Sequence, residues 1–220
     1  VIDADGELVG AINSMEIIEE IDLAYLKENL VTLNTADWIF IDTNLNSDVI
    51  SWVLDQGLSA KILIDPVSVE KSSKIKNKLD RVDLITPNLI EFCFLYDIDI
   101  SNVDSLISNK ANSELLKLIA FNREKISPGT ELIITLGAEG VIYSGPGQNF
   151  WEPAVDLNDK IIESTGAGDA LSAGIIYGLS RLKSIREAIK IGQEMAGLNI
   201  LADETVRADS FKKLKERGVL

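Results

Sequence analysis

Short apolar runs that end in a polar residue alternate along this chain with stretches whose apolar positions recur at helical spacing. Trp38-Ile39-Phe40-Ile41-Asp42, Ile62-Leu63-Ile64-Asp65, Asp83-Leu84-Ile85-Thr86 and Leu132-Ile133-Ile134-Thr135 are the runs, and each predicts a strand. Ahead of them, Leu23, Leu26, Leu30 and Leu33 follow Asp22, a helix-capping residue, and predict a first helix. Further helices are predicted over 47–56, 69–79, 89–96, 112–125, 167–179, 185–201 and 210–217, with Ser184 and Asp209 as caps of the last two. Strand-like pieces follow at 141–143 and 150–151. Strands apolar on successive residues are buried on both faces, so the pattern predicts an α/β fold, a mostly parallel sheet with helices on both faces. Ahead of it, Val1-Ile2-Asp3 and Leu8 to Asn13 flank Asp5-Gly6 and predict a β-hairpin over 1–14. No internal repeat or low-complexity stretch interrupts the body, which is expected to run over 15–220.

Composition narrows the chemistry. The 220 residues carry 21 Lys+Arg against 35 Asp+Glu, a formal charge of −14. That balance argues against a nucleic-acid groove or an anionic-membrane surface, both of which need clustered cations. A bound phosphate must then be held by backbone N–H groups and a few local cations. The chain has no histidine, which excludes Ser-His-Asp and Cys-His catalysis and imidazole-based zinc sites. Its single cysteine, Cys93, lies in Phe92-Cys93-Phe94-Leu95 and is expected to be a buried, inert thiol. No apolar run reaches the roughly 18 residues of a membrane span, and no basic-then-apolar leader precedes the body. The expectation is a soluble cytoplasmic protein.

Five segments carry candidate chemistry. Ser164-Thr165-Gly166-Ala167-Gly168-Asp169 leads into a predicted helix. Unpaired N–H groups of Gly166, Ala167 and Gly168 at the helix start suit a phosphate or a developing oxyanion. Asp169 beside them is either a carboxylate favoured at a helix N-terminus or a general base. Pro87-Asn88-Leu89-Ile90-Glu91 sits at the carboxyl end of a strand, where open α/β sheets bind ligands. Asn88 and Glu91 there either contact phosphate and hydrated Mg²⁺ or form a helix capping box. Thr135-Leu136-Gly137-Ala138-Glu139-Gly140 is either a hairpin turn or a close approach to a nucleotide. Asp42-Thr43-Asn44-Leu45 and Asp65-Pro66-Val67-Ser68, with Lys71, again place polar groups at strand ends. Lys71 is either one more solvated lysine among Lys74, Lys76 and Lys78 or a cation that neutralises a transferring phosphate. The sequence has no G-x-x-x-x-G-K-[ST] loop, no protein-kinase HRD or DFG, and no G-x-G-x-x-G after its first strand.

Taken in order, these motifs resemble the ribokinase-like (PfkB) family of carbohydrate and nucleoside kinases. Gly166-Ala167-Gly168-Asp169 is similar to the family's anion hole and catalytic aspartate, Asn88-x-x-Glu91 to its phosphate and magnesium motif, and Thr135-x-Gly137-x-x-Gly140 to its ATP-binding turn. Within the family, Ala11-Ile12-Asn13-Ser14-Met15, Asp42-Thr43-Asn44-Leu45 and Asp65-Pro66-Val67-Ser68-x-x-Lys71 are similar to segments of the pseudouridine kinases, although Ser14 stands where those tend to carry aspartate. The resemblance implies transfer of the ATP γ-phosphate to the 5′-hydroxyl of a nucleoside, pseudouridine first. Asp169 would take the hydroxyl proton, and Thr135, Gly137, Gly140 and Asn199 would hold ATP. Asn88 and Glu91 would organise Mg²⁺ through water, and Asn13, Asn44, Ser68 and Lys71 would face the acceptor. It extends to K⁺ near the glycine loop and to pairing of two copies through a β lid, of which 1–14 would be the later half. The family's opening βαβ portion has no counterpart before Val1. Another sugar or nucleoside kinase, or a nucleotide-binding remnant without turnover, are the alternative expectations.

Overall fold

The computed structural model describes residues 15–101, 112–157, 162, 165–202 and 206–220. The expected hairpin over 1–14, and Asn13 with it, lies outside the described residues. The chain divides into two compact units, residues 15–153 and residues 154–220 with 1–14.

In the unit 15–153 the strands β1 (Trp38–Asp42), β2 (Lys61–Asp65), β3 (Leu84–Ile85), β4 (Glu131–Thr135), β5 (Val141–Gly145) and β6 (Gln148–Glu152) form one sheet in chain order. The first four are parallel, and β5 and β6 continue as antiparallel neighbours. Asp42 pairs with Asp65, Ile64 with Ile85, Ile85 with Leu132, and Asn88 bridges Thr135. The polar residues that close each apolar run therefore meet along one edge of the sheet, its carboxyl end. Positions Ile41, Ile62, Ile64, Ile85, Leu132, Ile134 and Ile142 share a core with α3 (Ser47–Asp55), α5 (Leu89–Leu95) and α6 (Asn112–Ile126). Val49, Ile50 and Val53 of α3, Phe92 and Cys93 of α5, and Leu115 and Ile119 of α6 supply the helical side. Leu63, Leu84 and Ile133, which alternate with the first set, are buried as well. Burial on both faces explains the unbroken apolar runs. Cys93 is buried, as expected.

Two predicted helices differ from the structure. The stretch from Leu23 breaks at Asn29 into α1 (Leu23–Glu28) and α2 (Leu30–Thr35). Asn29 turns its amide back to donate to the Tyr25 carbonyl, a local bond that competes with helix continuation. The helix expected over 69–79 is only the short α4 (Val69–Ser72), followed by a 3₁₀ stretch, Lys76–Arg81, with a kink at Lys78. The Ser72 and Ser73 hydroxyls donate to the carbonyls of Ser68 and Glu70, again competing with the helix ladder. Lys71, Lys74 and Lys78 would also stack like charges at helical spacing. They part instead: Lys74 reaches backbone carbonyls near Asn44 and Lys78 reaches Asp55. The third strand, expected over 83–86, is regular at Leu84–Ile85 alone, although Asp83 and Thr86 still donate to β2 carbonyls.

The unit 154–220 contains α7 (Ala167–Ser180), α8 (Ile185–Ile200) and α9 (Ser210–Glu216). Ser184 caps α8, as expected, and Glu187 completes a reciprocal box with it. Asp209 occupies the N-cap position of α9 without a side-chain capping bond, its carboxylate accepting from Arg207 instead. α7 and α8 meet along small residues. A Cβ on Gly174 would lie 2.6 Å from the Gly192 Cα, and one on Gly178 would lie 2.7 Å from the Ala188 Cα. Among the described residues no helix is long and apolar enough to cross a membrane.

Candidate functional site

In the unit 15–153, Asn88 and Glu91 stand where β3 hands over to α5. The Asn88 side chain accepts from the Glu91 N–H at 2.9 Å, and Glu91 Oε2 accepts from the Asn88 N–H at 2.8 Å. The pair is thus a complete capping box, one of the two expectations for this motif. Asn88 is exposed, whereas Glu91 is buried, and burial raises its carboxyl pKa against the opposing pull of the Asn88 hydrogen bonds. Thr135 ends β4 beside it, its N–H donating to the Pro87 carbonyl at 2.9 Å. Gly137 and Gly140 follow in a 3₁₀ turn with φ of +58° and +96°. At Gly140, with ψ of −137°, a side chain would be strained, so glycine is required there by the backbone itself. Trp151 Nε1 closes the turn by donating to the Glu139 carbonyl at 2.8 Å, a contact the sequence offers no signal for.

The ends of β1 and β2 form a second polar cluster in the same unit. Asp42 accepts from both the backbone and the side-chain amide of Asn44, at 2.9 and 2.7 Å. Asn44 Oδ1 in turn accepts from Lys71 Nζ at 2.5 Å. Ser68 caps α4, its hydroxyl accepting from the Lys71 N–H at 3.2 Å. Lys71 is therefore not a merely solvated lysine; its ammonium is held at the sheet's carboxyl edge. Between them Val67 adopts φ of +62°, a left-handed conformation that a β-branched residue takes at a cost. Such strain collects at ligand-binding turns. The Val67 N–H donates to Asp65 Oδ1 at 2.8 Å, which holds the strained turn.

In the unit 154–220, Gly166 is the N-cap of α7 with φ of +78°, a left-handed turn suited to glycine. Ala167, Gly168 and Asp169 form the first turn, and Asp169 is exposed. Asn199, near the end of α8, is 4% exposed and donates through Nδ2 to the Thr165 carbonyl at 3.1 Å. The expectation placed it at a nucleotide base; its observed contact fixes the residue that enters the glycine turn. Ser164 lies outside the described residues. Asn44, Ser68, Lys71, Asn88, Glu91, Thr135, Gly137 and Gly140 are brought to one sheet edge, and Asn199 is brought to the turn that precedes Asp169.

Among the described residues no group of three or more His, Cys, Asp or Glu side chains is arranged to hold a metal. Glu91 offers a single carboxylate at the Asn88 turn, a donor set that suits Mg²⁺ held mainly by phosphates and water.

The chain matches the pfkB family of carbohydrate kinases over residues 9–210. It is 29% identical over 193 residues to pseudouridine kinase of Escherichia coli (strain K12), covering 85% of this chain and 57% of that protein. It is 32% identical over 141 residues to ribokinase of Lactococcus lactis, covering 64% of this chain and 39% of that protein. The chain thus spans about half the length of these curated relatives. Ribokinase from Cryptococcus neoformans, solved in complex with ADP, superposes with a TM-score of 0.70 at 18% identity, over 84% of this chain and 61% of that one. The mostly parallel six-stranded sheet with its helices is the ribokinase-like α/β fold.

Proposed function

We propose that this chain, which belongs to the pfkB family of carbohydrate kinases, moves the γ-phosphate of ATP to the 5′-hydroxyl of a nucleoside, and that the nucleoside is pseudouridine. The observation that carries the phosphotransfer reading is the α7 N-terminus: Asp169 in the first turn of a 14-residue helix, behind a left-handed glycine cap. Such a turn aims backbone N–H groups and the helix dipole at an anion. The Gly166, Ala167 and Gly168 N–H groups stabilise charge on the transferring phosphoryl oxygens, and the Asp169 carboxylate accepts the hydroxyl proton as the oxygen attacks. Phosphoryl transfer rests mostly on positioning and electrostatics, which suits a protein without histidine.

In the unit 15–153, Thr135 and the Gly137–Gly140 turn serve ATP; in the unit 154–220, Asn199 holds the entry to the glycine turn that serves the transferring phosphate. Asn44, Ser68 and Lys71, with Asn13, serve the acceptor. Glu91 and Asn88 would hold Mg²⁺ through water, and the metal supplies neutralisation of phosphate charge when bound. K⁺ near the glycine turn, a homodimer formed through the segment 1–14 and a cytoplasmic location complete the proposal. The choice of pseudouridine is supported by the likeness to the Escherichia coli enzyme and by the Asp42–Asn44–Lys71 cluster.

Turnover on pseudouridine, uridine, adenosine, ribose and tagatose 6-phosphate separates the acceptors. It is measured with ATP and Mg²⁺ on this chain and on the longest natural polypeptide that carries it. Pseudouridine is expected to give the highest kcat/KM. Preference for ribose or a sugar phosphate would replace the nucleoside reading, and ATP binding without transfer to any acceptor would support a nucleotide-binding protein without turnover.

A further inference from the structure

Lys74 lies outside every motif singled out in the sequence, yet its ammonium is held at the acceptor cluster. Nζ donates to the Thr43 carbonyl at 2.7 Å and to the Leu45 carbonyl at 2.8 Å, the carbonyls of the residues before and after Asn44. Thr43 is itself tied to the next strand, its N–H donating to the Asp65 carbonyl at 3.1 Å and its hydroxyl to the Pro66 carbonyl. The Asn44 side chain is oriented by opposite charges, with Nδ2 on Asp42 and Oδ1 facing Lys71. That arrangement holds only while the loop 43–45 keeps its path.

We propose that Lys74 is a positioning residue for the acceptor side of the site: by bridging the carbonyls that flank Asn44, it fixes the loop that presents the Asn44 amide and the Lys71 ammonium. This rests on the assignment of Asn44 and Lys71 to the acceptor. An ammonium has three donors and no acceptor, so it can satisfy two converging carbonyls at once. Both carbonyls belong to the turn that follows β1, where no helix or sheet ladder satisfies them. Lys74 also decides where Lys71 points. The two ammonium groups repel, and with the Thr43 and Leu45 carbonyls occupied Lys71 stays on Asn44. Burial and this repulsion lower the Lys74 pKa, while Asp42 and Glu70 oppose the shift. With Lys74 removed, the two carbonyls become acceptors for Lys71, which would leave Asn44.

The test compares Lys74→Met and Lys74→Arg with the parent, each in the full chain. NMR hydrogen exchange follows the Asn44 side-chain amide and the backbone amides of 44–46, and calorimetric titrations give separate affinities for pseudouridine and ATP. Lys74→Met is expected to speed exchange at Asn44 and weaken pseudouridine binding, each on the order of tenfold for two charge-assisted bonds, with ATP affinity within about twofold. Lys74→Arg keeps charge and donors and is expected to restore most of both. If Lys74→Met is not folded, Lys74→Gln, which keeps a donor and loses the charge, takes its place. Unchanged pseudouridine affinity in a folded Lys74→Met or Lys74→Gln would overturn the proposal, even with a lower Tm, since a structural contact alone would move only Tm. If the parent binds no nucleoside, the acceptor assignment fails. Exchange at Asn44 then decides the clamp: acceleration in the variant retains it, and no change overturns it.

Discussion

Glu91 concentrates the competing demands on a single side chain. Its carboxylate closes a helix cap, is buried at 4% exposure, and lies in the motif assigned here to hydrated Mg²⁺. Burial raises its pKa in the folded protein. The charged form is therefore costly when folded, and that cost, present above the folded pKa, is relieved as pH falls through it towards the unfolded value. Glu91→Gln keeps an oxygen to accept from the Asn88 N–H and loses the charge. It is expected to be at least as stable as the parent near pH 7, with the difference shrinking towards pH 4.5 in urea titrations. Glu91→Ala loses the acceptor and is expected to cost about 1 kcal/mol, as helix-cap deletions do. In the assay, Glu91→Gln is expected to raise the Mg²⁺ concentration needed for half-maximal rate. An unchanged Mg²⁺ dependence would leave Glu91 with its capping role alone. At this scale the sequence was most legible where a residue acts on its own neighbours: the spacing of Asn88 and Glu91 contains a cap, and Ser184 marks another. Lys74 was hidden because its partners lie 29 and 31 residues away and depend on the path of a loop.

The elements show the same division. The strands were legible because burial on two faces leaves little choice but unbroken apolar runs, as in Ile62-Leu63-Ile64. The break of the helix expected over 69–79 was not, because Ser72, Ser73 and four lysines are each tolerable in a helix. Only their bonds to Ser68, Glu70, Thr43 and Asp55 make the 3₁₀ path better. The helix pair α7–α8 bears on the proposed function, since α7 carries Asp169 and α8 carries Asn199. Gly174 and Gly178 let the two backbones approach closely, and a methyl group at Gly174 would meet the Gly192 Cα at 2.6 Å. Overpacking of this kind costs roughly 1–3 kcal/mol. Gly174→Ala is expected to lower Tm and to reduce kcat by shifting the α7 N-terminus. A second change at Gly192 should not rescue it, since glycine is already the smallest residue. An unaltered Tm and rate would show that the pair has room the packing denies.

For the whole molecule, the absence of histidine leaves backbone dipoles, carboxylates, hydroxyls and lysines as the available chemistry. Family membership, over residues 9–210, is consistent with that inventory. What the sequence conveyed at this scale was the family and the sheet edge along which polar strand ends meet, because those ends are marked by Asp42, Asp65, Asn88 and Thr135. It conveyed less about the acceptor, since pocket shape depends on loops such as 65–68, where Val67 takes a left-handed turn that no local pattern announces. The most direct test of the phosphotransfer account is transfer of labelled γ-phosphate from ATP to pseudouridine, in Mg²⁺, by the parent and by Asp169→Asn. The longest natural polypeptide carrying these residues is used, with ATP affinity measured in parallel. The account predicts labelled pseudouridine 5′-phosphate from the parent and a rate about 10²–10⁴-fold lower from Asp169→Asn, the range for loss of a general base, with ATP affinity within a few-fold. Near-normal turnover by Asp169→Asn would contradict it.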